Sequence, residues 1–214
     1  MFDFRNYVDN FDEHIKNSIP SYEFFNSIAI ELSKRSIENN TNVLDIGCST
    51  GKLLHDLKNI HKNVNFIGIE PEKKFDKYHE NLNIIYDKIE NIEIPNNISF
   101  CVSLFTLQFI NYNNKIKILK EIYKNMISGS SLVISEKFYF KYGKTQNYLD
   151  SMYNDFKKIS FTFEEIFKKE IELRGTMHCQ TKKEFENMLE NVGFNNFENI
   201  FQHYHFSMYV IFKE

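Results

Sequence analysis

Apolar residues recur along this chain at two spacings, one typical of helices and one typical of buried strands. Apolar positions three and four residues apart predict amphipathic helices over residues 22–37, 52–60, 115–127 and 181–191. Short apolar runs between them predict strands over residues 42–46, 65–70, 83–86, 99–104, 131–135, 197–203 and 205–212. Because strands alternate with helices, the predicted fold class is α/β, a mostly parallel sheet with helices on both faces.

The chain is interpreted as one domain over residues 1–214, with two segments outside the alternation. It contains no internal repeat and no Pro/Ser-rich linker, and its length suits one domain at roughly 100–200 residues each. After Glu136 the alternation gives way to an aromatic and charged helical stretch over residues 148–169. Residues 137–180 are therefore interpreted as a substrate-side insertion, and residues 1–40 as an N-terminal helical lid.

The composition is typical of a globular protein and argues against several classes of protein. With 22 Phe, 12 Tyr and no Trp, the core is expected to be built on phenylalanine rings. No apolar run approaches the ~20 residues of a membrane span, and residues 1–5 lack the layout of a signal peptide. Three widely spaced cysteines without a C-x-x-C pair argue against a disulfide framework or a metal site and favour the cytoplasm. The net charge of −3 disfavours a nucleic-acid partner.

A glycine-bounded loop follows the first predicted strand and precedes a helix. Its sequence, residues 47–51, is neither the G-x-G-x-x-G fingerprint nor a Walker A loop. A turn in some other α/β protein is the alternative interpretation. Glu70 ends the second strand about 20 residues later, where an acidic side chain can accept both hydroxyls of a ribose. Asp87, after the third strand, suits an adenine contact, although its register is uncertain by one residue.

Residues 43–51, Val-Leu-Asp-Ile-Gly-Cys-Ser-Thr-Gly, resemble motif I of the class I S-adenosylmethionine-dependent methyltransferases. The resemblance implies a Rossmann-like fold with a mostly parallel seven-stranded sheet and an antiparallel last strand. It also implies S-adenosyl-L-methionine as the cofactor.

Several further segments are similar to the bacterial carboxy-S-adenosylmethionine synthase family. They are residues 11–13, 18–22, 105–109, 132–138, 155–157 and 201–202. This resemblance implies a homodimer that converts the cofactor, with prephenate, into a carboxylated derivative used in tRNA wobble-uridine modification. Together the two resemblances and the loop predict these cofactor-binding residues: Tyr22, Asp45, Gly47, Cys48, Ser49, Gly51, Glu70, Asp87 and Leu104.

The chain also departs from that family. Glu170 occupies the position where the family places an arginine that holds the added carboxylate, and Arg174 lies about one helical turn away. Leu104 replaces an expected asparagine. These departures favour ordinary methyl transfer to a small-molecule or peptide-like acceptor. The alternatives are carboxy-S-adenosylmethionine synthesis itself, or a catalytically idle binding or scaffold protein.

Methyl transfer needs mainly alignment of donor and acceptor, and a general base only when the acceptor is protonated. The candidate bases are His14, His203 and His205; the alternative for the last two is an ordinary strand position. Tyr139 and Tyr142 are predicted to wall an aromatic substrate pocket, with lid packing as the alternative, and Arg174 is the third predicted substrate contact. Lys115, Lys117 and Lys120 are interpreted as the solvated face of a helix.

Overall fold

The computed structural model describes residues 8–214, so the first part of the predicted lid, residues 1–7, lies outside the described residues. The helices are α1 (Phe11–Ser18), α2 (Tyr22–Ser36), α3 (Lys52–Ile60), α4 (Tyr112–Asn125), α5 (Gly143–Lys157), α6 (Phe163–Leu173) and α7 (Lys182–Val192). The strands are β1 (Asn42–Ile46), β2 (Asn65–Ile69), β3 (Asn83–Ile85), β4 (Ile98–Leu104), β5 (Met126–Tyr139), β6 (Gln180–Thr181), β7 (Asn196–His203) and β8 (Phe206–Phe212).

Seven of these strands form one continuous sheet in the order β3-β2-β1-β4-β5-β8-β7, and the two-residue β6 pairs with the far end of β5. The strands from β3 to β5 pair in parallel, whereas β8 runs antiparallel to both of its neighbours. The predicted α/β class, with a mostly parallel sheet and an antiparallel last strand, is confirmed. The β1–α3 unit also has the predicted bounds.

Strand β5 is much longer than predicted. The predicted helix ends at residue 127 and the predicted strand begins at residue 131, but α4 ends at Asn125 and residues 128–130 already belong to β5. Two backbone hydrogen bonds hold them to the end of β8: Gly129 N donates to Lys213 O at 2.7 Å, and Lys213 N donates to Ser130 O at 3.0 Å. Pairing with a strand distant in sequence thus outweighs the local turn signal of Gly and Ser.

The helical stretch predicted over residues 148–169 is two helices, α5 and α6, separated by residues 158–162. Thr162 begins α6 with a capping box, in which its Oγ1 accepts from Glu165 N at 3.3 Å and Glu165 Oε2 accepts from Thr162 N at 2.8 Å. Such reciprocal bonds satisfy backbone donors that a new helix leaves open. Because of this break, α6 is a helix separate from α5, and it lies beside the carboxyl edge of the sheet.

Helices cover both faces of the sheet. On one face α4 and α7 pack over apolar side chains of β1, β4 and β5, and on the other α2 and α3 do so. The expectation of a phenylalanine core is confirmed, since six of the described phenylalanines are at most 1% exposed: Phe25, Phe75, Phe100, Phe138, Phe185 and Phe194. In the described part of the chain, no helix is long and apolar enough to cross a membrane.

Candidate cofactor and substrate site

The loop between β1 and α3 turns sharply toward the carboxyl edge of the sheet. Gly47 has φ +76°, and its N–H donates to Ile69 O of β2 at 2.8 Å. A Cβ at this position would lie 2.1 Å from Thr106 Oγ1. Glycine is required here both by the left-handed backbone and by the close approach of the neighbouring loop. The chain is therefore open to a ligand without a side chain in the way.

Glu70 lies directly beneath this loop and shapes it. Its buried carboxylate accepts from the backbone N–H of Ser49 at 2.9 Å and of Glu72 at 2.8 Å, one on each oxygen. Burial raises the pKa of Glu70, and these two backbone hydrogen bonds oppose the rise. Because a carboxylate offers about four acceptor positions, each oxygen retains capacity for one ribose hydroxyl.

Asp45, at the end of β1, is the second buried carboxyl group of the site. It is 4% exposed, and burial together with the charge of Glu70 raises its pKa to about 7. Two neighbouring carboxyl groups favour a cationic ligand, because a positive charge on the ligand offsets the repulsion between the two negative charges.

One cavity of about 1130 Å³ opens above these residues. Small-molecule sites typically measure roughly 300–1,000 Å³, so this cavity has room for a cofactor and a second molecule. Ten of the predicted site residues line it: His14, Tyr22, Asp45, Gly47, Cys48, Ser49, Glu70, Leu104, Tyr139 and Arg174. The cavity also receives side chains from both the predicted lid and the predicted insertion.

Five predicted residues do not line the cavity: Gly51, Asp87, Tyr142, His203 and His205. Asp87 is exposed and caps a short turn, accepting from Lys88 N at 2.7 Å, whereas Glu90 lines the cavity instead. Gly51 (φ +73°) ends the loop, where a Cβ would lie 2.5 Å from Leu82 Cδ1. Tyr142 is 68% exposed.

The three candidate histidines have different surroundings. His14 lines the cavity, but its Nε2 accepts from Lys169 Nζ at 3.2 Å, and burial with that neighbouring charge lowers its pKa to about 4. His203 bonds Ser21 Oγ at 2.8 Å outside the cavity. His205 is fully buried and contacts Asp150. His203 and His205 therefore do not line the cavity, and the imidazole of His14, which does, is already engaged by Lys169.

Sequence reasoning missed a group of polar residues that also line the cavity. They are Thr106, Gln108, Lys137, Gln146, Asp150, Tyr153 and Lys157. Only Lys137 carries a local signal, since it follows the buried Glu136 and strand alternation sends the two side chains to opposite faces. Burial lowers the pKa of Lys137, and burial with the charge of Lys137 lowers the pKa of Lys157 to about 8.

The position that the family resemblance assigns to an arginine is on α6. Glu170 lies there and lines the cavity, and Arg174 one turn later donates to it through Nη2 at 3.2 Å. Both side chains are more than half exposed. The guanidinium therefore faces an acidic partner of its own helix.

Comparisons with known proteins identify relatives in sequence and in fold. The carboxy-S-adenosyl-L-methionine synthase of Staphylococcus epidermidis is 32% identical over 203 residues, covering 91% of this chain and 89% of the relative. That of Shewanella halifaxensis is 32% identical over 217 residues, covering 95% and 88%. The structure of the plantazolicin methyltransferase BpumL in complex with SAH matches with a TM-score of 0.67 at 14% identity, covering 98% and 90%. No protein-family model matches the chain.

The fold and the site define an enzyme of the class I S-adenosylmethionine-dependent methyltransferase superfamily, whose cofactor is S-adenosylmethionine. Within it, the chain belongs to the carboxy-S-adenosyl-L-methionine synthase family. The residues present fit this cofactor. Gly47 offers bare backbone, Glu70 retains acceptors for two hydroxyls, and Asp45 is a buried carboxyl group beside them.

The raised pKa of Asp45 leads to a pH prediction for cofactor affinity. S-adenosylmethionine is cationic at its sulfonium and ammonium groups, so it favours the ionised form of Asp45, which predominates above a pKa of about 7. We expect the association constant measured by calorimetry to rise about tenfold between about pH 6 and about pH 8. In Asp45→Asn the rise should be absent; an equal rise in that variant would contradict the assignment.

Proposed function

We propose that this enzyme transfers the methyl group of S-adenosylmethionine to a small-molecule or peptide-like acceptor bound at the α5–α6 end of the cavity. The observation that carries the proposal is Glu170 with Arg174: where the family resemblance implies a carboxylate-holding arginine, this chain has Glu170, which lines the cavity and is ion-paired with Arg174. A carboxylate on the transferred carbon would be repelled by Glu170, whereas an uncharged methyl group would not.

In this reaction the chain's residues chiefly bind and orient. The cofactor supplies an electrophilic methyl group, and a lone pair of the acceptor forms the new bond to carbon while the carbon–sulfur electrons return to sulfur. Glu70 and the Gly47 loop would hold the nucleoside end, and Leu104, Thr106 and Tyr139 line the same cavity. Alignment of this kind can supply ~7–11 kcal/mol of a transfer barrier.

Carboxy-S-adenosylmethionine synthesis is the second candidate, favoured by the family's full-length similarity. Lys137 and Lys157 favour it as well, because a small anionic co-substrate such as prephenate would satisfy them. In this reaction the methyl carbon would stay on sulfur, give up one proton and bond to a carboxyl group whose bond to the co-substrate breaks.

Cofactor labelled with ¹³C in its methyl group separates the two reactions. We expect the label to leave the nucleoside and appear on the acceptor, with S-adenosylhomocysteine as co-product in mass spectra. Retention of the label in a nucleoside that has gained a carboxyl group, in the presence of prephenate, would establish the second candidate instead. Tight cofactor binding without either product across a broad acceptor panel would indicate a binding protein.

A further inference from the structure

Asp150 is held in a fixed orientation at the substrate end of the cavity. Gln146 Nε2 lies 3.1 Å from both of its carboxylate oxygens, and His205 Nε2 lies 3.0 Å from Oδ1. Gln146 Oε1 accepts from Phe140 N at 2.9 Å, which fixes the amide so that its NH₂ group faces the carboxylate. Two side chains on different elements, α5 and the β7–β8 turn, thus converge on one acid.

The histidine in this group is a neutral donor. Burial and the charge of Lys137 lower the pKa of His205 to about 4, against the opposing effect of Asp150. Its Nδ1 has no hydrogen-bond partner among the described residues, and we assign the proton to Nε2, which lies 3.0 Å from Asp150 Oδ1 and 3.1 Å from Gln146 Nε2. Asp150 therefore accepts two hydrogen bonds but has no cationic partner, and its carboxylate, 45% exposed, faces the cavity.

Two lysines line the same cavity as this carboxylate, and neither is paired with an acid among the described residues. Lys137 Nζ lies 5.0 Å and Lys157 Nζ 4.3 Å from the centroid of the Tyr153 ring. Tyr153 is fixed in turn, because its hydroxyl donates to Ser18 O at 2.8 Å. Within the described part of the chain neither ammonium group forms an ion pair; the charges of Asp150 and Glu170 act on both from farther away.

From this arrangement we infer that the co-substrate is a small zwitterion of the amino-acid type. Its ammonium group binds Asp150, and its carboxylate binds Lys137 and Lys157. A buried cation or anion is stable only when it is paired and hydrogen-bonded, and a zwitterion pairs all three side chains at once. A simple acid would leave Asp150 facing another negative charge, and a simple amine would add a third cation to two lysines.

The roles follow from the geometry. Asp150, Lys137 and Lys157 contact the co-substrate, whereas Gln146 and His205 act on it only through Asp150 and are positioning residues. For N-methylation the ammonium group must lose one proton before its lone pair attacks the methyl carbon, and the Asp150 carboxylate is placed to accept that proton. This step rests on the proposed methyl transfer, but the binding of the zwitterion does not.

The test measures binding in the presence of S-adenosylhomocysteine, so that turnover is not required. Pools of proteinogenic amino acids are screened by calorimetry, and each amino acid that binds is compared with its decarboxylated amine and its deaminated acid. We expect the amino acid to bind about 10- to 100-fold more tightly than either analogue, because each analogue lacks one charge-assisted contact. Tighter binding of the deaminated acid, or no amino acid bound at all, would overturn the inference.

Two variants separate the two charges. Asp150→Asn keeps the shape of the side chain and should weaken binding of the amino acid about 10- to 100-fold. Binding of the deaminated acid should become tighter in the same variant, because the repulsion by the Asp150 charge is gone. Lys157→Met should instead weaken binding of both the amino acid and the deaminated acid. Equal losses for both ligands in Asp150→Asn would contradict the assignment of the ammonium group to this carboxylate.

A matched control lies on the same helix. Asp155 is an exposed carboxylate paired with Lys158 at 2.9 Å outside the cavity, so Asp155→Asn should change neither affinity. Affinity for S-adenosylhomocysteine reports whether each variant is folded. Amino-acid binding without methyl transfer would leave this inference standing and refute the proposed function. Methyl transfer to acids alone would do the reverse.

Discussion

Replacing Lys115 by methionine should lower the free energy of unfolding by about 3–5 kcal/mol, the cost of leaving a buried charge without its partner. Lys115 Nζ donates to Glu136 Oε2 at 2.8 Å, and both side chains are 0% exposed. The ammonium is also 3.4 Å from Gln180 Oε1. Burial raises the pKa of Glu136 and Lys115 opposes the rise, so the variant leaves an acid that must be neutralised or exposed.

Urea unfolding of two further variants tests the cause. In Lys115→Met/Glu136→Leu both charges are gone, and most of the lost stability should return because apolar side chains of similar volume can replace a buried ion pair. Lys117→Met changes an exposed lysine of the same helix and should have little effect. A loss below about 1 kcal/mol in the single variant, the size expected of a surface pair, would refute this account.

This ion pair also shows what the sequence could not reveal. Helical spacing placed Lys115 on a solvated face with Lys117 and Lys120. Its side chain is instead buried and forms an ion pair with Glu136 of β5. Nothing within α4 distinguishes it from its exposed neighbours. The partner lies 21 residues away, and only the packing of α4 against β5 brings the two charges together.

The cofactor end of the site was easier to predict than the substrate end. Gly47 and Glu70 are at the ends of adjacent parallel strands, so hydrophobic periodicity alone places them at one edge of the sheet. The substrate end combines α5, α6 and the β7–β8 turn, and their meeting depends on tertiary packing. His205 was a candidate base from its position near that edge, but its role at Asp150 needs α5 to be seen in place.

Among substitutions in the site, removal of the Glu70 carboxylate should have the largest effect on the affinity for the cofactor. We expect Glu70→Ala to weaken binding of S-adenosylmethionine about 100- to 1,000-fold in calorimetry, since the variant would lose the two charge-assisted hydrogen bonds that we propose between this carboxylate and the ribose. The backbone N–H groups of Ser49 and Glu72 lose their acceptor as well, so the loop above the site is no longer fixed. Glu80→Ala, at an exposed position outside the cavity, is the matched control.

A cofactor analogue can separate ribose recognition from the shaping of the loop. An S-adenosylhomocysteine analogue without ribose hydroxyls makes no contact that depends on the ribose-facing lone pairs of Glu70. If ribose recognition dominates, Glu70→Ala should weaken the parent compound far more than this analogue. If equal losses are found, Glu70 acts only by holding Ser49 and Glu72. Unchanged affinity for both compounds would remove Glu70 from the cofactor site and leave its carboxylate only the two backbone N–H groups that it accepts from.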